Sequence, residues 1–162
     1  TPSNVYGASK LATEFTLVEE LSNATVLCPR VPGIVGVGAV HGWLPSLAAD
    51  LTSGAPVRIH HPDSLFNQCI DVVDLAEWLV VCCLQSSGIS CVGPIGTKPD
   101  MTVRSVVETL AKSLDSRSPI LEVELDRKPS TVDYSAWEAY GYRARGTSQV
   151  VESYSASLRL HR

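Results

Sequence analysis

The stretch Thr1-Pro-Ser-Asn-Val-Tyr6-Gly-Ala-Ser-Lys10 decides how the rest of the chain is interpreted. Tyr6 and Lys10 stand four residues apart at the start of a helical pattern, so the spacing predicts that both side chains leave the same helix face. An ammonium group beside a phenol favours the phenolate, which makes a tyrosine a usable proton shuttle. The alternative is a capped surface helix in which Lys10 pairs with Glu14, also four residues on.

The composition describes a globular protein. The chain has 162 residues, of which 44 % are hydrophobic and 19 % charged, and this predicts one domain, or a large piece of one, with a substantial core. A net charge of −4 without a basic stripe argues against a nucleic-acid surface. The apolar runs are far shorter than the ~20 residues of a membrane-spanning helix, so no membrane span is expected.

The cysteines are odd in number, form no Cys-x-x-Cys motif and lie mostly in apolar segments. This pattern predicts small buried thiols in a reducing compartment such as the cytoplasm, and it predicts no metal site. The five residues are Cys28, Cys69, Cys82, Cys83 and Cys91.

Helical and extended patterns alternate along the chain. The predicted helices run from Ser3 or Asn4 to about Ser22, over 43–51, from Asp71 or Asp74 to 84, from a Thr102 cap to 114, over 135–140 before Gly141, and over 148–158. The predicted strands are 25–28 before Pro29, 57–59, 65–70, 90–95 and 120–125. This alternation predicts an α/β protein with a parallel sheet.

The glycines of Gly33-Ile-Val-Gly36-Val-Gly38 follow a predicted strand and raise the possibility of a phosphate-binding loop. Three features argue against it. The spacing is G-x-x-G-x-G, the next residues interrupt the required helix, and no acidic residue closes a second strand at the expected distance. A structural loop at the end of a strand is the better interpretation.

From Tyr6 onward the chain resembles the second half of an extended short-chain dehydrogenase/reductase, in the NAD(P)-dependent sugar-nucleotide epimerase/dehydratase family. The resemblance starts with Tyr6-Gly-Ala-Ser-Lys10 and Arg30-Val-Pro-Gly-Ile-Val-Gly36, and it covers nearly the whole chain. The later segments that match in order are Leu44-Pro-Ser-Leu, Gly54-Ala-Pro-Val, Phe66-Asn-Gln-Cys-Ile-Asp-Val-Val-Asp74-Leu-Ala76, Val92-Gly-Pro-Ile-Gly96, Asp133-Tyr-Ser and Gly141-Tyr.

The resemblance implies the C-terminal part of a Rossmann-type, doubly wound parallel sheet with a small α/β substrate-binding subdomain. Residues 1–40 would end the dinucleotide-binding domain, and residues 41–162 would mainly bind substrate, with 71–96 returning to the Rossmann sheet. The implied partners are a nucleotide-sugar substrate and a second copy of the chain, because the family's tyrosine-bearing helix contributes to a dimeric four-helix interface.

The resemblance also implies roles for individual residues. Tyr6 would give or take a proton at the substrate hydroxyl or carbonyl during hydride transfer, and Lys10 would bind the nicotinamide ribose of NAD or NADP. The backbone of Pro29, Arg30 and Val31 would border the nicotinamide. The implied substrate contacts are Gly33, Trp43, Arg58 and Asn67.

The sequence departs from the family pattern at several of these positions. Asn67 stands where many members carry an arginine that grips the nucleotide diphosphate, Gly33 replaces a frequent asparagine, and Asp71 stands where histidine or tyrosine is common. Arg58 could equally be a solvated strand residue. Epimerisation, dehydration and reduction share the Tyr/Lys chemistry, so the sequence leaves the choice among them open.

In this family the Gly-rich cofactor loop precedes the tyrosine. We therefore expect the chain to be the C-terminal portion of a longer enzyme, with negligible NAD(P) binding and no turnover by itself. Two alternatives stay open: a non-catalytic binding domain that has kept the fold, and an assembly domain that self-associates.

Overall fold

The computed structural model describes residues 4–21, 23–84 and 88–160. The helices are α1 (Val5–Glu20), α2 (Trp43–Ser53), α3 (Val72–Leu84), α4 (Val103–Ser113) and α5 (Thr147–Leu160), with a 3-10 helix at Ser135–Tyr140. The strands are β1 (Leu27–Arg30), β2 (Gly33–Val35), β3 (Val57–Ile59), β4 (Leu65–Phe66), β5 (Cys69–Asp71), β6 (Cys91–Pro94), β7 (Met101–Thr102) and β8 (Ile120–Glu122).

The strands form four two-stranded ladders. Three are parallel, β1 with β6, β2 with β5 and β3 with β8, whereas β4 and β7 pair antiparallel. Each parallel pair is joined through intervening helices, as parallel pairing requires. The predicted α/β class with parallel pairing is confirmed.

Two hydrophobic clusters form the core. One gathers α2, α4 and α5 around β2, β3 and β5, and includes Leu51, Val106 and Tyr154, each at most 2 % exposed. The other lies between α3, β6 and the 3-10 helix, where the rings of Trp78 and Trp137 meet edge-on with centroids 5.3 Å apart. The second cluster therefore anchors β6, the partner strand of β1.

Local capping sets the helix starts as the sequence predicts. Asn4 accepts from the N–H of Gly7 at the start of α1, and Thr102 accepts from the N–H of Ser105 at the start of α4. Asp71, one of the two predicted starts, accepts from the N–H of Val73 at 2.8 Å. Gly141 ends the 3-10 helix with φ 77°, in the left-handed region that suits glycine.

Three predicted boundaries are wrong. The first strand runs over Leu27–Arg30 and includes Pro29, which was expected to end it. The carbonyls of Val26 and Arg30 accept from the N–H groups of Cys91 and of Ile95, the residue after β6, so alternate residues make the ladder bonds and the Pro29 nitrogen faces the other edge. The predicted loop at Gly33 is instead the start of β2, because its backbone pairs with β5.

The third wrong boundary is the single strand expected over 65–70. The chain divides it into β4 and β5, which pair with different partners. Between these two strands, the side chains of Asn67 and Gln68 donate hydrogen bonds to the backbone of the segment 130–132. These contacts with a distant part of the chain set the position of the two residues in the fold.

The cysteine prediction is only partly correct. Cys69 is buried, but Cys83 is exposed and the other three are partly exposed. All five are free thiols. Burial raises the pKa of Cys69 to about 11, so that thiol stays protonated at neutral pH.

The described helices include none that is both long and apolar enough to cross a membrane. Among the same residues, no three or more His, Cys, Asp or Glu side chains are grouped to hold a metal ion.

We predict that Asn67→Ala lowers the free energy of unfolding by about 1–3 kcal/mol, because it removes both hydrogen bonds of a buried side chain. Asn67 is fully buried, its Nδ2 donates to the Val132 carbonyl at 2.8 Å, and its Oδ1 accepts from the Val132 N–H at 2.9 Å. Urea denaturation measures the change.

Gln68→Ala is the matched control. The exposed Gln68 donates to the Ser130 carbonyl of the same segment, and its loss should cost less than about 0.5 kcal/mol. Equal effects of the two substitutions would contradict the assignment of Asn67 as the internal tether.

Candidate active site

A cleft of about 760 Å³ lies between the first three turns of α1 and the end of β1. It brings together all the residues expected to be catalytic or to border the cofactor. The lining residues are Tyr6, Gly7, Lys10, Leu11, Glu14, Pro29, Arg30 and Val31.

Tyr6 and Lys10 lie on one face of α1, as the four-residue spacing predicts. The Lys10 ammonium nitrogen is 5.5 Å from the centroid of the Tyr6 ring, within the range of a cation–π contact. Tyr6 is 72 % exposed, so its hydroxyl is open to a ligand that enters the cleft. The two groups are therefore available to act on the same bound molecule.

Glu14 binds Arg30 across the cleft. The Arg30 Nε donates to Oε1 at 2.9 Å and Nη2 donates to Oε2 at 2.6 Å, which is a bidentate arrangement. The hydrogen bond from Arg30 holds the pKa of the Glu14 carboxyl below its ordinary value, and Glu14 raises the pKa of the guanidinium. This ion pair replaces the pairing of Lys10 with Glu14 that the sequence left open.

The side of α1 that faces β1 is formed by three partly buried residues, Gly7, Leu11 and Glu14. The apolar side chains of Phe15 and Val18 are not on this face: Phe15 is 61 % and Val18 39 % exposed. No residue of α1 is buried. Contacts with the end of β1 thus position the helix without support from the core clusters.

The structure has a second, largely apolar groove of about 550 Å³, whose lining starts at Pro32, the residue after Val31 of the first cleft. It is lined by residues 32–42 and by Val72 at the start of α3. Gly33 lines this groove. Trp43 follows Gly42 in the chain at the start of α2, where its indole packs on Phe66 with the ring centroids 4.8 Å apart. Two of the four implied substrate contacts are therefore at or next to this groove.

The other two implied substrate contacts lie apart from both clefts. Asn67 is enclosed, and its amide is bonded at both ends to the backbone of Val132. Arg58 is exposed on β3, in the ladder with β8. The structure thus gives Asn67 an internal role as a tether and places Arg58 on the exposed face of β3.

Glu14 is a residue of this cleft to which the family resemblance assigns no role. Its signal was present, because Glu14 continues the four-residue spacing of Tyr6 and Lys10 and so shares their side of the helix. What the spacing cannot show is the partner, since Arg30 lies 16 residues further along the chain.

No family model and no curated protein matches the chain. Solved structures do match, across almost all of it. WbmG from Bordetella bronchiseptica, in complex with NAD and UDP, has a TM-score of 0.76 at 21 % identity, over 99 % of this chain and 51 % of its own. UDP-glucose 4-epimerase from Thermotoga maritima, with UDP-glucose, has a TM-score of 0.73 at 17 % identity, over 99 % of this chain and 55 % of its own.

RMD from Pseudomonas aeruginosa, complexed with NADPH, matches with a TM-score of 0.69 at 20 % identity, over 98 % of this chain and 56 % of its own. The chain therefore spans about half the length of these structures. The likeness establishes the fold: the chain has the α/β architecture of the C-terminal part of Rossmann-like epimerase structures.

We predict that Gly36→Ala lowers the free energy of unfolding by about 1–3 kcal/mol, because it strains the wall of the apolar groove. Gly36 has φ 150°, and a Cβ there would lie 2.6 Å from Cγ1 of Val72. Gly33→Ala is the control, since its Cβ would meet only the Gln68 carbonyl oxygen at 3.5 Å. Thermal or urea unfolding that finds the two variants equally stable would contradict this account of the groove.

Proposed function

We propose that this chain is the C-terminal half of an NAD(P)-dependent enzyme of the extended short-chain dehydrogenase/reductase family, acting on a nucleotide sugar. The observation that carries the proposal is the single cleft that collects Tyr6, Lys10 and residues 29–31. Those residues come from α1 and from the end of β1, and in the sequence only the family resemblance assigns the two elements to one site. The fold shared with nucleotide-sugar epimerase structures supports the same conclusion.

The residues of the cleft fit a nicotinamide nucleotide. Lys10 offers three N–H donors for ribose hydroxyls, and the end of β1 offers a backbone wall at Pro29 to Val31. NAD or NADP would supply the hydride acceptor and donor. Solved structures of this fold contain one or the other cofactor, which supports the proposal without choosing between them.

Tyr6 is the proposed general acid and base. Its phenolic oxygen takes the proton of a sugar hydroxyl as that carbon becomes a carbonyl, and returns a proton in the reverse direction. The Lys10 ammonium nitrogen lies 5.5 Å from the centroid of the Tyr6 ring, so both groups can contact one bound molecule. Proton transfer through one tyrosine serves epimerisation, dehydration and reduction alike.

The apolar groove is the proposed site of the sugar-nucleotide substrate, with Gly33 and Trp43 as contacts. It adjoins the Tyr6 cleft through the continuous backbone at Val31 and Pro32, so a molecule that occupies both is within reach of the catalytic pair. Asn67 and Arg58 do not belong to this proposed site. We place the enzyme in the cytoplasm, a location with which the five free thiols agree.

We predict that Tyr6→Phe lowers kcat by about 10²–10⁴-fold, the usual contribution of a positioned general acid–base. The assay uses a longer polypeptide in which a dinucleotide-binding half precedes this chain, with UDP-glucose as the probe substrate and NAD or NADP as the probe cofactor. The absorbance of the reduced nicotinamide reports oxidation or reduction, and product chromatography reports epimerisation.

Tyr134→Phe is the control, because Tyr134 lies outside the cleft and packs on Tyr142. Full activity of the Tyr6→Phe enzyme would rule out the assigned proton transfer. Activity lost equally in both variants would show a general structural effect instead.

We further propose that the chain self-associates through α1. The supporting observation is the exposed apolar side of that helix, which includes Phe15 and Val18. Two copies that pair these faces would remove both side chains from water.

We predict that Phe15→Lys shifts the protein from dimer to monomer, because it puts a charge at the centre of the paired apolar faces. Sedimentation velocity at several concentrations measures the change. Glu19→Lys, also exposed on α1, provides the control for altered charge. A wild-type chain that is monomeric at high concentration would contradict the dimer.

A further inference from the structure

The position of α1 depends on few contacts. None of its residues is buried, and its partly buried face consists of Gly7, Leu11 and Glu14. Gly7 has no side chain to pack, so Leu11 and Glu14 provide the side-chain contacts on this face. Of these two, Glu14 forms the directional bonds.

The ion pair of Glu14 with Arg30 is asymmetric in exposure. The Glu14 side chain is 16 % exposed, whereas that of Arg30 is 52 % exposed. Glu14 therefore lies against the strand, and Arg30 at the end of β1 closes over its carboxylate with two parallel N–H donors. Such a fork fixes the orientation of both partners as well as their distance.

The helix transmits this orientation to the catalytic pair. Lys10 and Tyr6 lie one and two turns before Glu14 on the same side of α1, and all three side chains line one cleft. A rotation or shift of α1 at Glu14 would move Tyr6 and Lys10 relative to Pro29 and Val31. The first two turns have no buried side chain of their own to prevent such a movement.

We infer that Glu14 is a positioning residue: by binding Arg30, it holds Tyr6 and Lys10 beside the backbone of residues 29–31. The effect of Glu14 on catalysis rests on the proposed function, whereas its effect on the position of α1 does not. Glu14 takes no part in proton or hydride transfer. It sets the place from which Tyr6 acts.

Hydrogen exchange measured by mass spectrometry on this chain tests the structural part. Glu14→Gln and Arg30→Gln should each speed exchange of the α1 amides by about two- to fivefold, the effect of losing a partly exposed ion pair. Exchange in α4, which belongs to the core, should not change. Glu19→Gln on the same helix is the control and should leave α1 unchanged.

In the double variant Glu14→Arg/Arg30→Glu the two charges are swapped, so both positions are substituted but carry opposite charges again. It should recover at least part of the α1 protection that either single variant loses. Unchanged α1 exchange in Glu14→Gln would overturn the inference, as would faster exchange throughout the chain, which would mark a general loss of stability.

Kinetics in the longer polypeptide test the catalytic part and separate it from the proposed function. Glu14→Gln should lower kcat by about fivefold while the KM for UDP-glucose stays unchanged, because the groove that binds the substrate does not include Glu14. Tyr6→Phe should lower kcat by about 10²–10⁴-fold without affecting α1 exchange. Faster α1 exchange with unchanged kcat would refute the positioning role, whereas an active Tyr6→Phe enzyme would refute the proposed function instead.

Discussion

Parallel backbone pairing in two neighbouring ladders is the constraint on which the site depends. β1 pairs with β6, and β2 pairs with β5, although only Val31 and Pro32 separate β1 from β2. The chain between the ladders is thereby held at both ends and forms the boundary of two clefts. One cleft faces α1 with its Tyr6–Lys10 pair, and the other faces the starts of α2 and α3.

The two sides of this boundary are stabilised in different ways. The groove side rests on buried contacts, since Val35 is fully buried and Leu44 of α2 is 2 % exposed. The α1 side rests on the ion pair of Glu14 and Arg30, with no buried residue in the helix. Partly exposed ion pairs contribute less free energy than buried apolar side chains, so the helix that carries Tyr6 and Lys10 is the more easily displaced element.

The sequence predicts those features that depend on short-range patterns. The helix caps at Asn4 and Thr102, and the common face of Tyr6 and Lys10, follow from residue type and spacing. Features that depend on distant partners do not follow. The extended backbone at Gly33 comes from pairing with β5, 36 residues away by the register of Gly33 with Cys69. The tethering role of Asn67 comes from Val132, 65 residues along the chain.

We propose that hydride transfer takes place in the cleft between α1 and the end of β1. The decisive experiment is a crystal structure of the longer polypeptide with NAD or NADP bound. In that structure the nicotinamide ring should lie in this cleft, with its ribose hydroxyls on Lys10 and its ring beside Val31. A nicotinamide bound outside the cleft, with Tyr6 and Lys10 facing solvent, would refute the proposal.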